Sequence, residues 1–278
     1  SVKDIKNSVK SPYIPVRAVV HSAVMVSEKE MLFTVAPDDA ALLTYRPGQF
    51  FMAGLPGYGE APISVTSPSG GRTASFELCV RATGNLTNAL HRLKKGDAMT
   101  VRGPFGTSFP VDEMKGKDLL FVAGGIGIVP MRSLIKTVLK KRPSFGKATL
   151  VYGSRGPDEM LFQGEFAAWR ARGLDIRATI DSANSGWKGH VGLVTTLLPE
   201  VEVTDGFGLF DQTTQGAGNA TGEAPGQHDG AQDDQQRRDD GDATFLVDGG
   251  QQLVAGHRID QQQGGAAQHG QAVERDLP

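Results

Sequence analysis

Hydrophobic positions in the first 102 residues form short runs that are separated by turn residues such as Pro47-Gly48 and Gly96-Asp97. These runs predict β-strands at 17–25, 31–36, 49–55, 63–66, 75–81 and 98–102. Many short strands punctuated in this way are typical of a small antiparallel barrel. A single helical segment, 86–93, interrupts the predicted barrel.

From Lys117 onward the pattern changes, and apolar strands alternate with helical segments. The predicted strands and helices are 119–123, 131–141, 148–152, 162–172, 175–180 and a short helix at 194–198. Strands that alternate with helices indicate a parallel sheet with right-handed crossovers. The predicted fold is therefore an antiparallel β-barrel followed by a doubly wound α/β domain.

The first strand of the α/β part runs into a turn rich in glycine, and a helix follows. The turn comprises Gly124, Gly125, Ile126, Gly127, Ile128, Val129 and Pro130. Free main-chain amides and the positive end of a helix dipole favour an anion there, and glycine lets phosphate oxygens approach closely. The turn predicts a dinucleotide phosphate site, although many α/β turns rich in glycine bind nothing.

Charge is unevenly distributed along the 278 residues, whose formal net charge is −2. Residues 1–204 contain 25 Lys and Arg against 18 Asp and Glu, whereas 205–278 contain 4 against 13. The basic front part suits anionic cofactors but is too weakly charged to indicate nucleic acid binding. The final segment is rich in Gly, Gln and Asp, so we expect 205–278 to be mostly disordered.

Cysteine content and the length of apolar runs restrict the class of protein. Cys79 is the single cysteine, which excludes an internal disulfide and a metal centre held by several cysteines of this chain. No apolar run reaches the roughly 18 to 20 residues of a membrane-spanning helix, and the start is too polar for a secretory signal. We therefore expect a cytoplasmic protein whose start, at serine, is trimmed or incomplete.

Five segments follow one another in an order that resembles the ferredoxin–NADP reductase superfamily. They are RPGQF at 46–50, GEAPIS at 59–64, GNLT at 84–87, the glycine-rich turn at 124–130 and YGSR at 152–155. The chain is similar to the electron-transfer subunits of that superfamily, namely the gamma subunits of soluble nickel–iron hydrogenases (sulfhydrogenases), their counterparts in anaerobic sulfite reductases and the dihydroorotate dehydrogenase partner. SPYIP at 11–15 and GEAPIS resemble the hydrogenase gamma group most.

The resemblance covers about residues 12–204 and, together with the composition of the remainder, divides the chain into four segments. They are an N-terminal arm at 1–16, an FAD-binding barrel at 17–113, an incomplete NAD(P)-binding α/β domain at 114–204 and a low-complexity tail at 205–278. It implies FAD as the flavin, with FMN as the alternative.

The resemblance also assigns flavin contacts. It places Ala61, Pro62, Ile63 and Ser64 along the isoalloxazine, with the Ser64 hydroxyl as the catalytic group near the N5 atom that accepts hydride. It places Cys79, Val80 and Arg81 beside the cofactor, and Gly84, Leu86 and Thr87 at its pyrophosphate. Each has an ordinary alternative: a plain barrel strand, a solvated arginine, a half-buried cysteine of the barrel, or a helix start with Asn and Thr.

By the same resemblance, the nicotinamide cofactor lies on the α/β domain. Gly124, Gly125, Ile126, Gly127, Ile128 and Pro130 would hold its diphosphate, while Gly153, Ser154 and Arg155 lie where the family meets the adenosine ribose. Arg155 can pair with the additional phosphate of NADPH. Ribose contact alone would serve NADH equally, so the choice of nucleotide stays open.

The sequence departs from the family in two places. Glu60-Ala61 stands where many members have an arginine. After Val203 the family continues into a strand with a Cys-Gly-Pro-Pro turn and then the cysteines of a [2Fe–2S] centre, which this sequence lacks. The change of composition at 204–205 indicates a shifted reading frame or a fused end. Residues 243–250 imitate a strand and glycine turn that could replace the lost strand.

These features predict a flavoprotein that passes electrons between NAD(P)H and a partner subunit carrying iron–sulfur clusters, of the hydrogenase or sulfite-reductase type. Hydride transfer from the nicotinamide to flavin N5 is the expected reaction, since the redox chemistry belongs to the cofactors. Two alternatives are a stand-alone flavin reductase or diaphorase and a catalytically impaired flavin-binding assembly module.

Overall fold

A computed structural model describes residues 13–70, 74–183, 186–200, 206–211 and 245–248. Its first sheet is antiparallel, with the strand order β4-β3-β6-β1-β2-β5. The strands are β1 (Val16–Met25), β2 (Glu30–Pro37), β3 (Phe50–Leu55), β4 (Gly59–Ser64), β5 (Phe76–Arg81) and β6 (Ala98–Phe105). A bridge between Val65 and Leu78 joins the two outer strands, so the sheet closes on itself. The predicted barrel is confirmed.

The barrel interior is filled by aromatic and aliphatic side chains that alternate along the strands. Phe51 and Phe76 are stacked there with their ring centroids 4.5 Å apart. Alternation follows from the pleat of a strand, which sends successive side chains to opposite faces. The barrel helix, α1, is Asn85–Leu90 and is shorter than the predicted 86–93.

The second sheet is parallel and has the order β10-β9-β8-β7-β11-β12. Its strands are β7 (Asp118–Gly124), β8 (Ala148–Ser154), β9 (Asp175–Ile180), β10 (His190–Val191), β11 (Gly206–Asp211) and β12 (Phe245–Asp248). Helix α2 (Ile128–Lys140) connects β7 to β8, and α3 (Phe166–Ala171), after a 3-10 turn at Gln163–Glu165, connects β8 to β9. The predicted parallel α/β domain is confirmed.

The parallel sheet continues past the boundary that composition places at 204. Strand β11 pairs with β7 on the side opposite β8, and β12, within the segment 243–250, pairs with β11. The resemblance led us to expect a further strand after Val203. Residues 206–211 form that strand beside β7, and 243–250 do not replace it. The other residues expected to be disordered lie outside the described part of the chain.

Strand order reverses at β7, since β8 and β9 lie on one side of it and β11 and β12 on the other. In open α/β sheets, such a reversal leaves a crevice beyond the carboxyl ends of the strands, where ligands bind. Strand β7 ends at Gly124, so the topology places the glycine-rich turn in that crevice. Among the described residues, no helix is both long enough and apolar enough to cross a membrane.

Strand β5 joins the two domains because its two faces belong to different cores. Leu78 and Val80 pack into the barrel, whereas Cys79 belongs to the core cluster of the α/β domain. Glu77, two residues before it, bonds to an arginine of α2, and Arg81, two residues after it, lines a cleft of the α/β domain. The alternation of one strand therefore builds the domain interface.

Burial of Cys79 in this interface gives a direct test of the fold. The side chain is 3% exposed, and burial raises the pKa of its thiol to about 12. Such a thiol is ionised at pH 8 in on the order of 1 molecule in 10,000. We expect a thiol reagent to modify the native protein at least about 100-fold more slowly than the protein in denaturant. Rapid labelling of the native state would contradict the interface.

Candidate functional site

An open cleft of about 260 Å³ lies at the carboxyl end of the parallel sheet. It sits beside the reversal of strand order at β7, where the topology predicts a ligand. One barrel residue contributes to its wall together with residues of the α/β domain. The lining residues are Arg81, Gly124, Gly125, Gly153, Ser154, Arg155, Glu159, Asp181, Leu193, Val194 and Thr195.

The glycine-rich turn presents its main chain to this cleft. Gly125 has a φ of +53°, a conformation that favours glycine, and a Cβ added there would meet no atom within 4 Å. The turn continues as a 3-10 helix, Gly125–Gly127, into α2. Open space at a glycine beside a helix start fits a dinucleotide phosphate.

Only part of the glycine-rich turn is accessible from the cleft, so fewer of its residues than predicted can contact a ligand there. Gly127 and Ile128 are buried, and Ile126 and Pro130 are half-buried. None of these four lines the cleft. Gly124 and Gly125 are therefore the residues of the turn that face it, and the others shape the backbone behind them.

Tyr152 on β8 holds the turn in place. Its hydroxyl donates to the Gly125 carbonyl oxygen at 2.9 Å and accepts the main-chain N–H of Leu161 at 3.1 Å. The ring is fully buried, and burial raises the pKa of this hydroxyl, so it remains a neutral donor. The residue therefore fixes the carbonyl of the very glycine that borders the cleft.

The residues after Tyr152 have three different roles. A Cβ on Gly153 would lie 2.9 Å from the Val194 Cβ, so this glycine permits close packing of the cleft wall. The Ser154 hydroxyl donates to the Gly156 carbonyl oxygen at 2.8 Å and is buried. Arg155 is exposed. Of the three predicted contacts, Arg155 is the one that offers a charged side chain to a ligand.

Charges of both signs border the cleft. Arg155 has no ion-pair partner among the described residues, and Glu159 and Asp181 add two carboxylates. The Arg81 guanidinium bonds to the carboxylate of Glu30, which is 3% exposed. Arg81 was expected beside the flavin cofactor, at a phosphate or at the adenosine half. The structure places its side chain on the wall of this cleft, with its charge paired to Glu30.

The predicted flavin strand is β4, which lies at the opposite end of the barrel's strand order from β5. Ala61, Ile63 and Ser64 are half-buried and Pro62 is exposed. No described residue forms a hydrogen bond with the Ser64 hydroxyl, so this group can donate to or accept from a ligand. The chemistry of the strand fits the predicted flavin contact.

At the start of α1, Gly84 is better placed for its predicted cofactor contact than Leu86 or Thr87. Gly84 is exposed, and a Cβ there would meet no atom within 4 Å, which fits close approach of a phosphate. The Thr87 hydroxyl accepts the N–H groups of Thr83 and Gly84, both at 2.9 Å, and donates to the Gly84 carbonyl oxygen. Its bonds brace the turn, and Leu86 packs against the barrel core.

Two predicted cofactor contacts have side chains that face away from any ligand. Cys79 is 3% exposed and Val80 is 1% exposed. Their alternation in β5 places one in the α/β core and the other in the barrel core. The expectation of half-burial for Cys79 is corrected to full burial, and either residue can contact a cofactor only through its main chain.

An arginine does stand beside the predicted flavin strand, although the strand itself has Glu60 where the resemblance led us to expect arginine. Arg102, on β6, bonds through two nitrogens to the Glu60 carboxylate across strand β3. The hydrogen bond from Arg102 lowers the pKa of Glu60, so the pair stays ionised. The Arg102 guanidinium is thus already paired with a carboxylate of the protein.

The residues do not fit a [2Fe–2S] centre. Such a centre needs several cysteine or histidine ligands, and the one cysteine is buried. Within the described ranges, no group of three or more His, Cys, Asp and Glu side chains could hold a metal ion.

Sequence reasoning included Tyr152 in the segment YGSR without assigning it a role, and it missed Asp181, Glu159 and the segment 193–195 as parts of the site. Asp181 directly follows β9, and residues at the carboxyl ends of parallel strands meet at one edge of the sheet. This rule could have identified it. The hydroxyl of Tyr152 gave no pattern in the sequence, because its partner, Gly125, is distant along the chain.

Tyr152 and Tyr45 form a matched pair for mutation. The buried Tyr45 hydroxyl bonds to Ser67 and to the Pro68 carbonyl oxygen in the barrel. We expect either Tyr→Phe variant to lose about 1 to 3 kcal/mol of unfolding free energy, measured in urea. Only Tyr152→Phe should also weaken NADH or NADPH binding, since only it releases Gly125. Equal nucleotide affinity in the two variants would contradict the assigned role.

Comparison with known proteins agrees with this arrangement. The profile of the oxidoreductase FAD-binding domain matches residues 17–109, and that of the oxidoreductase NAD-binding domain matches 121–214. The first match covers the barrel, and the second covers the parallel sheet through β11. The two profiles thus show an FAD-binding domain followed by an NAD-binding domain, which agrees with the predicted cofactors.

Two curated relatives are named as subunits of larger enzymes. Subunit gamma of sulfhydrogenase 1 from Pyrococcus furiosus is 40% identical over 171 residues, which are 60% of this chain and 58% of that protein. A probable dihydroorotate dehydrogenase B (NAD(+)) electron transfer subunit from Thermococcus kodakarensis is 33% identical over 180 residues, which are 62% of this chain and 67% of that protein. The chain thus spans somewhat more than half of the sulfhydrogenase subunit.

Among solved structures, the FAD/NAD-binding domain of a nitric oxide dioxygenase from Vibrio cholerae superposes with a TM-score of 0.61 at 20% identity. The match covers 73% of this chain and 90% of that domain. At this identity the likeness shows a shared fold. The profiles, the relatives and the fold agree: the chain belongs to the ferredoxin reductase family of FAD- and NAD-binding oxidoreductases.

Proposed function

We propose that this chain is an NAD(P)H-dependent flavoprotein that transfers electrons to a partner redox subunit. The observation that carries the proposal is the composition of the cleft wall. Arg81 comes from the strand that follows the flavin strand in the barrel, and Gly124 and Gly125 come from the nucleotide turn. The two cofactor domains therefore share one cleft, as direct transfer between bound cofactors requires.

The cofactors would supply hydride transfer from nicotinamide C4 to flavin N5, followed by single-electron release from the flavin. Every other contribution comes from this chain and consists of binding and orientation. The amides at Gly124 and Gly125 would bind the nucleotide diphosphate, and Arg155 would bind the adenosine ribose or its phosphate. The amides near Gly84 would hold the flavin diphosphate.

At the reacting end, we propose that Ser64 supports the flavin. Its hydroxyl is short and has no protein partner among the described residues, so it can hydrogen-bond to N5 without blocking the nicotinamide. Ala61, Pro62 and Ile63 would form the surface along the ring. Because Ile63 also packs against the barrel core, the position of the ring would be tied to the rigid barrel.

The nature of the two curated relatives supports a partner subunit, because each is named as a subunit of a larger enzyme. We propose a partner that carries iron–sulfur clusters, of the hydrogenase or sulfite-reductase type. The sequence has one cysteine, too few for a centre held by four cysteines, so in this proposal the clusters belong to the partner.

Anaerobic mixing of the FAD-loaded protein with NADH or NADPH tests the proposal. We expect loss of the oxidised-flavin absorbance, followed by re-oxidation that is faster with the partner subunit than with an artificial acceptor alone. A protein that is yellow but is not reduced by either nucleotide would instead be an assembly module. Reduction without any partner-dependent rate would indicate a free flavin reductase.

The role of Arg155 is tested by Arg155→Gln, with Arg172→Gln as the control. Arg172 is also exposed and cationic but lies after α3, away from the cleft. We expect Arg155→Gln to raise the KM for the preferred nucleotide about tenfold, which corresponds to about 1.4 kcal/mol, with kcat unchanged. A similar KM in both variants would remove Arg155 from the site.

A further inference from the structure

We infer that Arg132 is a positioning residue, which holds the nucleotide turn in register with the barrel strand β5. The inference rests on the proposed function and goes beyond it, since Arg132 touches neither cofactor site. Arg132 lies on α2, one helical turn after Ile128, where that helix begins. Its side chain is 3% exposed, which is unusual for an arginine.

The guanidinium of Arg132 connects the two domains through hydrogen bonds. On the barrel side, Nη1 donates to the Glu77 carboxylate at 2.7 Å and to the Thr66 carbonyl oxygen at 2.9 Å. On the α/β side, Nε and Nη2 donate to Glu165 Oε1 at 2.9 and 2.6 Å. All three nitrogens are therefore bound, and they fix the guanidinium plane relative to both domains.

A ring and a second cation complete the arrangement. The Phe162 ring lies under the guanidinium, 4.6 Å from the Arg132 Cζ atom to the ring centroid. Lys136 lies 3.9 Å from Glu77 and 3.7 Å from Glu165, so two cations face two carboxylates. Burial acts to lower the pKa of Arg132, but the two carboxylates outweigh it and raise this pKa.

Phe162 adopts an unfavourable backbone conformation to reach this place. Its φ of 57° and ψ of 18° lie in the left-handed region, and it is the one non-glycine residue with a positive φ among those described. Such a conformation persists where the surroundings impose it, and it is concentrated at functional sites. Stacking on Arg132 is a contact that this backbone makes possible.

The contacts around Arg132 are better explained as fixing the orientation of α2 than as stabilising the folded protein. Buried ion pairs are often no more stabilising than apolar residues of the same volume, because desolvation offsets their attraction. They do define one geometry. Since α2 is a rigid helix that begins beside Gly124 and Gly125, anchoring it at Arg132 sets where the nucleotide turn lies relative to β5, and hence how closely the two cofactors approach.

The test uses Arg132→Lys, which keeps the charge but cannot form the planar fork, and Arg170→Lys as the control. Arg170 also lies near an aromatic ring, that of Phe166, and donates to a carbonyl oxygen, that of Ile176, but both partners belong to the α/β domain. Glu77→Gln, which removes only the barrel-side charge, serves if Arg132→Lys does not fold. Each protein is loaded with FAD.

We expect Arg132→Lys to lower the rate of flavin reduction at saturating NADH or NADPH about tenfold or more, as a small misplacement of reacting groups does. Its FAD content and its Kd for NAD⁺ or NADP⁺ should stay within about threefold of the unmodified protein. Hydrogen exchange of main-chain amides should rise in β5 and in the nucleotide turn. Arg170→Lys should change none of these three properties.

An unchanged saturated rate, even with faster exchange, would make Arg132 a merely stabilising contact and overturn the inference. A loss of rate matched by an equal loss of nucleotide affinity would also overturn it. If neither nucleotide reduces the unmodified protein, the proposed function fails instead. Exchange then decides the inference, which is overturned if Arg132→Lys leaves β5 and the turn unchanged or speeds exchange throughout the chain, and supported if exchange rises in those two segments alone.

Discussion

Strand β5 has one face in the barrel core and the other in the α/β domain, and the arrangement of both proposed cofactor sites depends on this. Along its outer face, Glu77 binds the α2 arginine, Cys79 packs into apolar residues and Arg81 reaches the cleft. These three residues are two positions apart in sequence, which places them on the same face of the strand. A slip of one residue would reverse the faces and separate the domains.

The interface combines two kinds of contact with different consequences. Apolar packing around Cys79 brings the domains together but specifies direction weakly, since hydrophobic burial is not directional. The hydrogen bonds of Arg132 are directional and connect Thr66 and Glu77 of the barrel to α2. Together they give a two-domain body in which the nucleotide turn keeps a fixed place relative to the flavin-binding barrel.

Much of the architecture could be predicted from periodicity alone. Short alternating strands predicted the barrel, and the change to strands and helices after Lys117 predicted the parallel sheet. The end of the sheet could not be predicted this way, because β11 lies in a segment whose composition resembles a linker. Its pairing with β7 depends on residues distant in sequence, as does the order of strands at the cleft.

Within the site, local motifs located the glycine-rich turn and Arg155 but not what holds them. Tyr152 and Arg132 act through partners far along the chain, so no local motif indicated their roles. Arg132 did leave one trace: it is a charged residue between Met131 and Ser133 on the buried side of α2. Buried charges are rare unless they are paired, so a charge on such a face indicates an interdomain contact.

The most direct test of the account is the distance between nicotinamide C4 and flavin N5 in a crystal structure of the FAD-loaded protein with bound NAD⁺ or NADP⁺. We expect the dinucleotide to follow the cleft past Gly124 and Arg81, with the two atoms at roughly 3 to 3.5 Å, the separation that transfer requires. A dinucleotide seated in the cleft with its nicotinamide on the far side of β5 from the flavin would contradict it.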